Sequence, residues 1–294
     1  MSKWDWWYPT TGTPDERMRE ILRAILDLHL AWPFDDPWLW RGQANWEFGL
    51  EPGMHTRLRA KTGSPPLTDD NVEGETLQLV YAAQNSNIGN HEGTALTNMA
   101  LLAMLQHHGA ATPLLDVSLD PLLALYMAVV SPDPKRDDGK HGAVFAIKKP
   151  KSKAIEPFDH RIFSTIYREV PAGEVRLYTA PDVSERLRIQ RGHFLLGKVS
   201  DSDPRVSISL TIEPAEPVHS SWIWERMESR RGGVQPQKLA PDVVVFQVAQ
   251  DLKEALQKLL EARSGLTREF VFPTSWHKPH LEDFATSHRR LCGF

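Results

Sequence analysis

Three polar runs interrupt otherwise apolar stretches of this chain, and each carries residue types that could do chemistry. The first is Trp40-Arg41-Gly42-Gln43. A guanidinium drawn out of water needs an anion, either a carboxylate or a phosphate. Gly42 beside it permits close backbone approach, and Gln43 adds a donor and an acceptor. On residue types alone, a structural ion pair and an anion-binding site are both open. The second run is Gln106-His107-His108-Gly109, continuing through Thr112-Pro113-Leu114-Leu115-Asp116-Val117-Ser118. Amide, imidazole, hydroxyl and carboxylate there flank a Leu-Leu pair just ahead of a helix, whose N-terminus favours anions. Asp116 could pair with His107 and fix its tautomer. A hydrogen-bond network bracing a turn is the competing reading. His107 and His108 do not read as metal ligands, because helix neighbours point away from each other.

The third run is Arg186-Leu187-Arg188-Ile189-Gln190-Arg191-Gly192-His193-Phe194. Strand alternation puts Ile189, Arg191 and His193 on one face and Gln190, Gly192 and Phe194 on the other. The second face offers an amide, a gap and an aromatic wall, which suits a flat heterocycle, though an ordinary strand reads the same way. His277 and His280 have Pro279 between them, which argues against a helical metal pair, so no metal is expected. No GxxxxGK[ST], GxGxxG, HExxH or GxSxG occurs, so P-loop, Rossmann, zincin and nucleophile-elbow chemistry is not indicated.

The elements that must position these runs follow from spacing and punctuation. Thr13-Pro14-Asp15-Glu16 starts a helix that Met18, Ile21, Leu22, Ile25 and Leu28 carry to about Leu30. Trp38-Leu39-Trp40 reads as a strand. Residues 61–72 read as loop, Glu73 to Ala83 as helix, 85–94 as a break, and Thr94 to His107 as helix stopped at His108-Gly109. Thr112 to Asp116 reads as a short buried strand or turn, and Pro121 opens a helix over Leu122 to Val130. Strands are expected at Gly142–Ile147, Glu174–Tyr178, Ile189–Leu196, Val206–Ile212 and Val243–Val248. An amphipathic helix over Asp251 to Ala262 stops at Gly265, Phe270 to Pro273 reads as extended, and a last helix starts near Lys278. Helices dominate the first half and strands the second, without βαβ alternation. The expected class is α+β, a helical N-terminal half packed on a split, mostly antiparallel sheet.

Composition bounds the rest. The 294 residues allow one elaborated domain or two modest ones. With 34 basic and 38 acidic residues, a formal charge of −4 gives no global field to recruit nucleic acid or an anionic membrane. The single cysteine, Cys292, excludes an internal disulfide and any multi-thiolate metal site. No leader and no membrane-spanning run is read, so the expected location is the cytoplasm. Seven of the ten tryptophans fall within residues 1–46, which fits packing around the N-terminal element and also fits an interface or a stacking surface.

In order, the three runs resemble the signature of the FRG domain family. Trp40-Arg41-Gly42-Gln43 with Trp46, Leu50, Pro52 and Arg57 resembles its opening motif. Gln106 to Ser118 with Pro121, Ala124, Tyr126 and Ala128 resembles its long central motif, and Arg186, Gln190, Gly192 and Phe194 its late one. Ser264-Gly265-Leu266-Thr267 with Phe272-Pro273 resembles a recurrent ending. Pro113, Val117 and His108 depart from the usual Arg, Trp and aromatic. The resemblance implies one FRG domain over residues 1–294, with a motif core at about 15–200 and a C-terminal extension over 201–294. It further implies an ADP-ribosyltransferase-like fold and NAD as co-substrate. Arg41, Gly42, Gln43, Thr112 and Phe194 would then bind the dinucleotide, and Asp116, His107 and Gln190 would form the catalytic set. Gln190 stands where a catalytic Glu would be convenient, so the carboxylate comes from elsewhere or the site binds without catalysing. Asp116 is favoured over Glu75 and Glu174 because it lies inside the motif. The implied activity is ADP-ribosyl transfer to a macromolecule, RNA or protein, by a toxin or phage-defence effector. An antitoxin or immunity partner would go with it, and no membrane. The alternative is a non-catalytic nucleotide- or nucleic-acid-binding module that keeps the pocket.

Overall fold

The computed structural model describes residues 9, 11–31, 38–60, 66–91, 93–131, 137, 139–181, 192–203, 206–210, 243–272 and 279–291. Helix α1 (Pro14–Ala31) begins where expected, because Thr13 and Glu16 form a reciprocal cap: Thr13 N–H donates to Glu16 Oε2 at 2.8 Å and Glu16 N–H to Thr13 Oγ1 at 3.3 Å. Strand β1 (Trp38–Gln43) follows, then helices α2 (Gly53–Ala60) and α3 (Asp69–Asn85). The expected start of α3 at Glu73 is corrected to Asp69, since Thr68 caps it by accepting from Asn71 N–H at 3.3 Å.

Strand β2 (Asn90–His91), inside the expected break, pairs with β3 (Thr94–Ala95), where the helix was expected to begin. Helix α4 (Asn98–His107) therefore starts later than the expected Thr94, with Thr97 as its cap. Strand β4 (Leu115–Ser118), helix α5 (Pro121–Val129) and strand β5 (Gly142–Lys148) come next. Asp120 caps α5 by accepting from Leu122 and Leu123 N–H at 2.9 and 3.2 Å. Helix α6 (Phe163–Arg168), strands β6 (Val175–Thr179), β7 (Gly192–Gly197), β8 (Val199–Asp203), β9 (Val206–Ile208) and β10 (Val243–Val248), and helices α7 (Lys253–Ser264), α8 (Arg268–Val271) and α9 (Pro279–Leu291) complete the order. Residues 268–271 form a helical turn where an extended run was expected. Thr267 Oγ1 accepts from Phe270 N–H at 3.2 Å and its carbonyl from Val271 N–H at 2.9 Å, so a cap outweighs the β preference of Phe and Val. The class is mixed α and β, with mostly antiparallel pairing.

The chain forms two compact units. The first takes Met1–Gly49, Ser118–Lys149 and Thr211–Phe272. Its ladder runs β10-β5-β1, all antiparallel, with Arg41 opposite Phe145 and Phe145 opposite Val245. Trp40 also pairs with Ser118. One sheet face (Trp38, Trp40, Val144, Ala146, Val244, Phe246) packs in a core with Ile21 and Ile25 of α1, Ala124 and Ala128 of α5, and Leu256 and Leu260 of α7. Trp40 is fully buried. An indole of roughly 200 Å² at about 25 cal/mol per Å² contributes about 5 kcal/mol before entropy is charged against it. Helix α5 lies close on the sheet at two glycines: a Cβ on Gly42 would stand 1.7 Å from Ala124 O, and one on Gly142 would stand 2.2 Å from Ala128 O.

The second unit takes Leu50–Val117, Pro150–Leu210 and Pro273–Phe294. Every residue of α4 from Met99 to Leu105 is buried, the state of a helix that is apolar all round. Around it lie Leu79 and Val80 of α3, Phe163 and Ile166 of α6, Tyr178 and Phe194 of the antiparallel β6–β7 pair, and Leu281 and Ala285 of α9. Among the described residues no helix is long and apolar enough to cross a membrane.

Candidate functional site

In the first unit, pleating assigns β1 its faces. Trp38, Trp40 and Gly42 turn to α5, so Leu39, Arg41 and Gln43 share the opposite face. Arg41 is half-buried, and its cross-strand partner Phe145 is fully buried. The guanidinium thus lies beside an apolar cross-strand neighbour, where pairing of its charge counts for more than in open water. The space beside Gly42 is filled by the main chain of α5, whereas the sequence reading offered that space to a ligand. Gln43 is 8% exposed and its Nε2 donates to Gly49 O at 3.1 Å, closing the turn after β1. Its Oε1 is buried with no partner among the described residues. A buried acceptor left unspent is costly, and a ligand hydroxyl would satisfy it.

In the second unit, α4 ends at His107, His108 is its cap, and Gly109 takes φ +88°, the left-handed conformation that glycine adopts without strain. The chain then doubles back toward β4, held by Met54 N–H on Thr112 O at 3.1 Å and by Arg57 Nη2 on Gly109 O at 3.4 Å. Gln106 Nε2 donates to Asp116 Oδ1 at 3.0 Å. The Thr112 hydroxyl donates to Gln106 Oε1, and Leu114 N–H donates to Thr112 Oγ1 at 3.3 Å. Thr112 is 1% exposed and Asp116 half-buried. Gln106, to which the sequence reading gave no role of its own, thus donates to the carboxylate that was expected to meet His107. The signal was present, because Gln106, Thr112 and Asp116 stand in one short motif.

His107 meets Phe194 edge-on, ring centroids 6.2 Å apart, and Phe194 packs against Tyr178 at 6.3 Å. Phe194 is fully buried. With Leu196 it packs in the core of the second unit, so the wall it forms faces protein side chains. Gln190 and the rest of Arg186–Arg191 lie outside the described residues, as do Trp4, Trp6, Trp7, Trp32 and His277. Among the described residues no group of three or more His, Cys, Asp or Glu could hold a metal ion.

No curated protein and no solved structure matches the chain. Residues 36–137 match the family model of the FRG domain. That stretch contains both the Arg41-Gly42-Gln43 strand and the Gln106-to-Asp116 turn, so both lie within the similarity to the FRG domain.

Proposed function

We propose that this FRG-domain protein is an NAD-dependent ADP-ribosyltransferase that modifies a macromolecule, with an ADP-ribosyltransferase-like architecture and a cytoplasmic site of action as a toxin or defence effector. The observation that carries the reading is one strand face: a half-buried Arg41 two residues from Gln43, whose Oε1 is buried with no partner among the described residues. An arginine fork suits a pyrophosphate, and a lone amide oxygen suits a ribose hydroxyl. In the second unit Asp116 is a carboxylate that accepts a hydrogen bond from Gln106 Nε2. In ADP-ribosyl transfer the C–N bond to nicotinamide breaks, positive charge develops at the anomeric carbon, and the acceptor nucleophile bonds there as its proton leaves. A fixed anion stabilises that charge. His107 and Gln190 would hold ribose or nicotinamide in this reading.

The binding-module reading is supported by one feature of the sequence: Gln190 stands where a catalytic Glu would be convenient. Nicotinamide release separates the two. Purified protein is incubated with NAD, alone and with total RNA or lysate, beside Arg41→Ala. Release that disappears in the variant supports transferase chemistry. NAD binding without release favours the module, and neither release nor binding overturns both.

A further inference from the structure

The turn between α4 and β4 contains three hydrogen bonds that all run in one direction. Leu114 N–H donates to Thr112 Oγ1 at 3.3 Å, Thr112 O–H to Gln106 Oε1, and Gln106 Nε2 to Asp116 Oδ1 at 3.0 Å. A hydroxyl has one proton. With Leu114 N–H occupying a lone pair of Thr112 Oγ1, that proton is left for Gln106. An amide has one oxygen and one nitrogen, so an Oε1 engaged by Thr112 leaves only Nε2 to face Asp116. The reversed amide would set Oε1 against Oδ1, acceptor against acceptor.

We propose that Gln106 is the positioning residue for the Asp116 carboxylate, and that Thr112 sets the sense of its amide. What Asp116 does when positioned rests on the ADP-ribosyltransferase reading; the relay does not. Aligned donors polarise one another, which strengthens the last bond, the one on Asp116. The relay starts from fixed scaffold: Thr112 is 1% exposed and Gln106 follows the fully buried run Met99–Leu105. The carboxylate on β4 is thereby tied to the end of α4 and held in one rotamer, so its orientation is settled before any substrate arrives. The reach is specific to glutamine. Asparagine is one methylene short, and glutamate would set a second carboxylate against Asp116. Gln106 touches no reacting atom and acts through Asp116.

The test has two arms on the full-length protein. In the first, side-chain amides are ¹⁵N-labelled and the Gln106 pair is assigned by its loss in Gln106→Leu. One amide proton is expected downfield, moving on Asp116→Asn and on Thr112→Val and returning in Thr112→Ser. A Gln106 amide that ignores both Asp116→Asn and Thr112→Val overturns the proposal. In the second arm, kcat for nicotinamide release falls by about 10- to 100-fold in Gln106→Leu, the scale for losing a supporting hydrogen bond behind a reacting group. KM for NAD stays unchanged, and the Gln106→Leu/Asp116→Asn double variant is no worse than Asp116→Asn alone. Additive losses, or an unchanged kcat, overturn the positioning role. If the wild type releases no nicotinamide, the transferase reading fails, and the amide spectrum alone decides whether Gln106 positions Asp116.

Discussion

His55 Nδ1 lies 2.9 Å from Ser207 Oγ and 3.2 Å from Ser207 O, in the core of the second unit, where both residues are fully buried. His55 Nε2 has no partner among the described residues. The tautomer with the proton on Nδ1 is the better one, because it leaves an unused lone pair in the core rather than an unused N–H. Ser207 has no exposed surface, so the pair is a structural clasp between α2 and β9, not a nucleophile and its base.

Burial lowers the His55 pKa to about 4, with nearby Arg59 pushing the same way and the Ser207 carbonyl and Asp69 opposing. The unfolded chain therefore binds a proton that the folded chain refuses between about pH 6.5 and 4. Stability is full above that window and is lost as pH falls through it, by about 3 kcal/mol in all. Urea midpoints measured at pH 7.5, 5.5 and 4.5 should fall more steeply for the wild type than for His55→Gln. Parallel slopes would contradict this.

Two glycines should respond oppositely to the same change. Gly42→Ala puts a Cβ 1.7 Å from Ala124 O, a backbone atom that cannot step aside, and is expected to cost at least about 3 kcal/mol. Gly74 lies inside α3 with nothing within 4 Å of its would-be Cβ, and Gly74→Ala should stabilise by about 0.5–1 kcal/mol. Thermal unfolding of both variants reads the signs directly.

Asp69 Oδ1 accepts from Tyr167 O–H at 2.7 Å and from Val199 N–H at 2.9 Å, joining the first turn of α3 to α6 and β8. Burial, and then the Asp69 carboxylate, push the Tyr167 pKa up, so the hydroxyl stays a donor across the working pH range. Tyr167→Phe should cost about 1 kcal/mol, and Asp69→Ala about 2–3 kcal/mol because it orphans both donors. Equilibrium urea unfolding should rank them in that order.

Gln43→Met keeps the side-chain volume, removes the donor to Gly49 O and removes the Oε1 that has no partner among the described residues. Stability should fall by about 1 kcal/mol, and the Kd for NAD should rise about tenfold. Calorimetric titration that finds the same Kd would return Gln43 to a turn clasp alone.

Where the sequence signal was local, the structure could be read from it. Helix α1 announces itself through Thr13, Glu16 and the Ile21–Ile25–Leu28 stripe, and α5 through Asp120-Pro121. Helix α2 has eight residues and no clear stripe, and its Met54 N–H is bonded to Thr112 O, far along the chain, so nothing local marks it. The Phe-Val-Phe run at 270–272 looks like a strand until Thr267 is read as a cap. The site divides the same way. The Gln106, Thr112 and Asp116 cluster lies within one motif, but which of its members touches Asp116 depends on how the turn doubles back. Phe194 reads as an aromatic wall from alternation, yet alternation says only which way a side chain turns, not what covers it. Gly42 was recognised as a place of close approach, but a glycine does not name what approaches.

The two units are built from chain segments that alternate, with five passages from one to the other. As the polypeptide emerges during synthesis, the first unit waits for β10 and α7, and the second for α9, the last helix. Neither can close early and leave the other to follow, as tandem domains do. The stretch 36–137 draws on both units and completes neither. A fragment cut to those bounds would expose the apolar faces of α4 and of β1 and β4 with their covering elements gone, so expression of that piece alone should yield aggregate rather than a working domain.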